Sequence, residues 1–351
     1  MGNRTYPFLD GFRAIAVLGV LLTHGGTFLK IETGIFSLGY LGVDMFFVIS
    51  GFLITGILIE DWDGIVDVKR FYLRRFLKII PSYLALLFIT LIVHKQGIIQ
   101  NQEIKGGDII NYLFFIQNYF PKIPTLAHTW SLAVEEHFYL FYPLVIYTIF
   151  SIAKTANARR LTMMSFCLVF MIFVITNRHL YHGQGILSVM FNIKSSYQAT
   201  LFRIDALVFG CLLRFLEPYY EIKNDWPFTK LLCFIAGIGI YIYFFVAGLF
   251  NHWDPFLLGY LAPGFLLLAA YKNFQPFRLF MEIDWLRFIG KSSYGIYLWH
   301  YLIVLYFKSL VSYMGPVLAF LSYLGISVSA GILSTITIER YFLNLRKKIA
   351  A

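Results

Sequence analysis

The chain has 351 residues, of which 59% are hydrophobic and 14% charged, with a mean hydropathy of +0.70. Soluble domains run at about 45–50% apolar and about 25% charged, so an ordinary soluble enzyme is excluded. The net charge of +10 does not indicate nucleic acid either, because the lysines and arginines sit between the apolar runs.

Those runs are too long, and too free of alternation, for a β-barrel. The expectation is an all-α membrane bundle of ten spans, near residues 8–29, 40–59, 76–94, 131–151, 161–179, 200–216, 230–249, 255–271, 290–309 and 315–337, forming one domain over 1–351. The first run is too long for a cleaved signal peptide and contains Arg13. The stretch INYLFFIQNYF, Ile109 to Phe120 with its flanks, is too short to cross and reads as re-entrant or interfacial. Cys167, Cys211 and Cys233 lie in apolar runs without metal spacing and read as small core residues. With both termini on one side, that side carries twenty lysines and arginines and the other seven, while Arg13 and Arg203 fall within spans. The positive-inside rule then puts both termini in the cytoplasm.

Topology assigns a depth to each polar residue. In the first span Arg13 and His24 are eleven residues apart. That is very nearly three helical turns, so both share a face about 16 Å apart along the axis. Ionisable groups in hydrocarbon are costly and read first as functional. Arg13 falls near the cytoplasmic face and His24 in the outer half. Asp44 opens span two, Ser131, Glu135, Glu136 and His137 open span four, and Arg203 and Asp205 open span six, all at the level of His24. Each alone reads equally as an interfacial anchor or an ion pair; convergence from four helices is what a bundle-core site requires. His24 suits a general base toward a hydroxyl or a nucleophile toward an activated acyl group. A carboxylate among Asp44, Glu135 and Glu136 would orient it. The bland alternative is a packing histidine.

A second feature is VKRFYLRRFLKIIPSY, where Arg70, Arg74 and Lys78 recur every four residues with Arg75 beside them. It reads as an anchor on anionic lipid or as a phosphate site. With Arg13 added, a polyphosphate could be held at the cytoplasmic rim while an arm climbs toward His24. Coenzyme A has that shape.

LDGFRAIAVLGVLLTH (Leu9–His24), GYLGVDMFFVISGFLIT, FYLRRFLKIIPSY, HTWSLAVEEHFYLFYPL, FRIDALVFGCLL and SSYGIYLWHYLIV together resemble the membrane-bound acyltransferase-3 family. The resemblance runs in order from Leu9 to Glu339–Arg340. It implies transfer of an acyl group, usually acetyl from acetyl-CoA, to a hydroxyl of a carbohydrate or glycolipid acceptor, with no metal. It implies a catalytic role for His24 with Arg13 essential beside it, importance for Arg74 and Arg75, and roles for Glu135 and Glu136. Two departures stand out: His137 replaces the usual glutamine, and the expectation is of a member without the fused esterase-like domain that some members carry. Tyr294, Tyr297 and His300 read as core, and Glu339 and Arg340 as anchors of the last span. The expectation is an O-acyltransferase of a bacterial-type plasma membrane acting on an envelope glycan or its lipid-linked precursor. A transporter or flippase for a glycan or anion, using the same charges as a relay, is the rival reading, and a polysaccharide polymerase a third.

Overall fold

The computed structural model describes residues 6–60, 68–98, 104–120, 123–182, 197–220, 228–247, 255–272 and 274–349, and every regular element among the described residues is helical. Arg4, Lys122, Lys194 and Lys223, four charges used to orient the chain, lie outside the described residues. Six helices are long and apolar enough to cross a membrane, or seven if the bent pair Pro255–Tyr271 and Gln275–Met281 is one span. Side chains such as Phe88, Ile172 and Val246 are 64%, 63% and 78% exposed. Apolar surface this open on long helices suits lipid.

In chain order the helices are α1 (Pro7–Leu29), α2 (Gly42–Glu60), α3 (Val68–Lys95), α4 (Gly106–Leu113), α5 (Trp130–Ile152), α6 (Ala156–His182) and α7 (Asp205–Tyr220). They continue with α8 (Thr229–Ala247), α9 (Pro255–Tyr271), α10 (Gln275–Met281), α11 (Asp284–Lys291), α12 (Ser293–Met314), α13 (Pro316–Ser334) and α14 (Arg340–Ile349). Among the ten segments expected to span, those near 131–151, 200–216 and 290–309 correspond to α5, α7 and α12, which are shorter or more polar than the six. They carry much of the polar machinery described below.

Local differences have physical causes. The helix expected from residue 200 begins at Asp205, after a 3-10 turn at Thr200–Phe202. A carboxylate at a helix start complements the positive end of the helix dipole. Arg203 therefore sits in the turn rather than in a span. The basic run is continuous with its span, since α3 starts at Val68 and carries Pro81 in its interior. The INYLFFIQNYF stretch forms only α4 and a turn. The Tyr83 hydroxyl donates to the Tyr112 carbonyl at 2.9 Å and the Tyr83 ring stacks on Phe115, so this segment docks on α3 and does not cross.

Helix α1 lies at the centre, packed on α2, α10, α11, α12 and α13. Small residues let backbones approach where no water drives association. At the α2–α7 crossing a Cβ on Gly51 would sit 1.9 Å from the Leu207 carbonyl oxygen, and one on Gly210 would sit 2.1 Å from that of Val48. Backbone cannot yield as a flexible side chain does. Gly51→Val is expected to destabilise the bundle by about 1–3 kcal/mol or more, read as a lower thermal unfolding midpoint in detergent. An unchanged midpoint would contradict this packing.

Candidate active site

Six helices and one π-helical turn wall a cavity with about 830 Å³ of empty space, its open mouth included. Arg13 comes from α1, Val43, Phe46 and Ser50 from α2, Arg75 and Lys78 from α3, Ser131, Glu135 and Tyr139 from α5, and Tyr294 and Tyr297 from α12. Lys291, at the end of α11, borders it too. Residues 43 to 50 on α2 follow it for about two turns, or about 10 Å.

Cations gather at this wall. Arg13 reaches Asp10, one turn back on α1, at 3.5 Å. The Arg75 guanidinium lies 4.7 Å from the centre of the Tyr139 ring, a cation–π contact. Arg74, also expected here, does not line the cavity. Successive helical residues are turned by about 100°, so α3 cannot point both arginines the same way.

Glu135 faces these cations. Its Oε1 accepts from the Ser50 hydroxyl at 3.3 Å and its Oε2 from the Tyr139 hydroxyl at 2.7 Å. Both oxygens are thus held on the cavity side. Glu136 is partly buried beside it and does not line the cavity. Glu339 joins the wall through the π-helical turn Thr335–Glu339, where Thr335 donates to its Oε1 at 2.9 Å. Such turns carry one extra residue per helical turn and recur at functional sites. Nothing in the residue pattern around Glu339 announces one, which is why an anchor was the expectation for it.

At its far end the cavity meets Tyr297, and beyond Tyr297 lie three histidines. The Tyr297 hydroxyl donates to the His128 carbonyl at 2.9 Å and shares a 2.6 Å hydrogen bond with Ser131. Its ring packs 5.4 Å from His300 and 5.6 Å from His128. His24 Nδ1 and His300 Nε2 are 2.9 Å apart. His300 Nδ1 donates to the Tyr297 carbonyl at 2.6 Å, and His128 Nε2 to the Leu298 carbonyl at 3.1 Å. His24 comes from α1, His300 from α12, and His128 from the 3-10 segment Pro124–Thr129. Among the described residues no carboxylate bonds His24. The partner is His300, which read as core because it sits in an apolar run; the structure buries it wholly.

The remaining expected polar residues form ion pairs. Arg203 bonds Asp44 at 2.6 Å, both buried, with the rings of Trp130, Tyr197 and Phe256 packed round its guanidinium. Asp205 is held by Arg178 of α6 at 2.9 Å. Arg178, near the end of the run expected at 161–179, lies inside α6, which continues to His182 and carries it into the bundle. Removing one partner of a buried pair strands the other charge, at about 3–5 kcal/mol. Asp44→Asn is therefore expected to cut the yield of folded protein, checked by size-exclusion of detergent extracts. A normal yield with lost activity would move Asp44 into the chemistry.

Comparison with known proteins fits this arrangement. The profile described as an acyltransferase domain matches residues 6–336. The O-acetyltransferase OatA of Staphylococcus aureus, in strains NCTC 8325 / PS 47 and COL, is 33% identical over 338 residues, covering 87% of this chain and 52% of the relative. The chain thus spans about half the length of the curated relatives it matches. No solved structure matches it. With the profile running from α1 to the start of the Thr335–Glu339 turn, and so through the six helices that wall the cavity, the chain belongs to the acyltransferase-3 family.

Proposed function

We propose that the protein is an integral membrane O-acyltransferase that moves an acyl group, acetyl in the first instance, from acyl-CoA to a hydroxyl of an envelope carbohydrate or its lipid-linked precursor. It crosses the plasma membrane about ten times with both termini in the cytoplasm, which the lysine and arginine distribution supports. One observation carries the reading: α1 presents Arg13 to a cation-lined cavity and, about 16 Å further along the same helix, presents His24 to a chain of histidines.

Arg13, Arg75 and Lys78 hold the donor's phosphates, for which guanidinium forks are suited. The pantetheine arm runs along the cavity toward Tyr297. Delivery of the thioester past that ring requires a rotamer change of the kind binding commonly drives. The acceptor hydroxyl arrives from the outer side. Its oxygen attacks the thioester carbonyl carbon while His24 Nε2 takes its proton; the C–S bond then breaks, and the thiolate recovers that proton from His24. The products are an O-acyl ester and free CoA. Glu135 stays with the cations, where it keeps Ser50 and Tyr139 in place.

Mass spectrometry of envelope glycans from cells with and without the protein tests the reading. An ester gain that depends on the protein is expected. A change in chain length with no ester would favour a polymerase instead.

A further inference from the structure

His24 has a partner of its own chemistry, and the atoms around the pair dictate where the protons sit. The Tyr297 carbonyl can only accept, so His300 Nδ1, 2.6 Å away, carries a hydrogen. A neutral imidazole has one N–H, which leaves His300 Nε2 as an acceptor. Its 2.9 Å neighbour, His24 Nδ1, must then donate. The two ring centres are 5.1 Å apart with planes 18° from parallel. A centre-to-centre distance so much longer than the N···N distance means that the rings meet edge to edge, as a hydrogen bond demands.

We propose that His300 is the positioning residue of His24: by accepting from Nδ1 it fixes the tautomer that leaves His24 Nε2 with a free lone pair. The assignment rests on the reading of His24 as the group that takes the acceptor's proton. Helix α12 clamps the ring from two sides, because Tyr301, the next residue, meets His24 edge-on at 5.2 Å. Tyr301 is itself stacked on His128 at 4.9 Å. The Tyr297 carbonyl that anchors the chain belongs to the same helix, three residues before His300.

The physical gain over a carboxylate is clear at this depth. A carboxylate orienting His24 would add a permanent charge to a site packed between membrane helices, at high cost. A neutral imidazole orients the ring without one. When His24 takes a proton, the bond to His300 becomes charge-assisted and about twice as strong. Three of the carboxylates that topology placed at this level have other partners: Asp44 is paired with Arg203, Asp205 with Arg178, and Glu135 is held by Ser50 and Tyr139.

The test is the nitrogen NMR spectrum of protein labelled in its histidines and reconstituted in lipid, with His24 assigned by difference from His24→Ala. Wild type is expected to show His24 protonated at Nδ1 and bare at Nε2. In His300→Leu the Nδ1 partner is gone, and His24 shifts toward the Nε2–H form that free histidine favours. Turnover falls about 10²-fold with KM for acyl-CoA unchanged. In His300→Gln the amide oxygen can stand where Nε2 stood, restoring the Nδ1–H form and most of the turnover. An Nε2–H signal for His24 in wild type, or the same tautomer and turnover in His300→Leu, overturns the proposal. The spectrum needs no turnover, so it is independent of the proposed reaction: full activity in His24→Ala removes that reaction whatever tautomer is found.

Discussion

His24→Ala is expected to lower acyl transfer by about 10²–10⁴-fold, the range a positioned general base supplies, while folded protein stays in the membrane. The two halves of this result separate chemistry from structure. His24 is only partly buried and makes one side-chain hydrogen bond, to His300. Losing it leaves the buried His300 Nε2 without its donor and costs about 1–3 kcal/mol of stability, too little to unfold a bundle whose core runs through most of its helices. The chemical loss has no such cushion, since no other side chain on α1 near His24 can take a proton. Label transferred per mole of extracted, monodisperse protein is the measurement. Near-normal transfer would take His24 out of the reaction, and absence of folded protein would make it a packing residue.

Charge reversal on α3 is expected to discriminate two adjacent arginines. Arg75→Glu should weaken acetyl-CoA binding about 10–100-fold, because a charged hydrogen-bonding group is worth about 1.5–3 kcal/mol and the new carboxylate adds repulsion beside Glu135. Arg74→Glu should change binding only a few-fold, since Arg74 does not border the cavity. Isothermal titration of the detergent-solubilised protein with acetyl-CoA compares them directly. Equal small effects would return both to the role of anchors on anionic lipid. Equal large effects would mean that the donor's phosphates extend beyond the cavity wall.

The extents of several helices were legible in the sequence, and which side chains they bring together was not. Apolar runs located α1, α6, α8 and α9 to within a few residues, and the span expected at 255–271 coincides with Pro255–Tyr271. The level of a polar group follows from its distance to a span end, so Glu135 and His24 looked like neighbours. Glu135 instead lies past the first turn of α5 and shares the cavity with Arg13, Arg75 and Lys78, so both its level and its direction depend on how the helices pack. His300 was hidden by an apolar context that made it indistinguishable from core. Glu339 was hidden by a π-helical turn, which changes the register of everything after it without a signature in residue type. Arg178 illustrates a third limit: a charge near the end of an apolar run carries no sign in the sequence of the buried carboxylate it pairs with. The basic cluster on α3 was visible as a cluster, but its division into cavity-facing Arg75 and Lys78 and outward Arg74 needed the helix placed against α5 and α12.

The central claim is that this chain carries an acyl group from a cytoplasmic thioester to an outer hydroxyl. Proteoliposomes holding the purified protein, given acetyl-labelled acetyl-CoA on one side and an envelope glycan extract on the other, test it most directly. Base-labile label covalently on the glycan is expected, with free CoA released in equal amount and both lost in His24→Ala. Glycan moved across the bilayer without covalent label, or label that stays wholly on CoA, would contradict it.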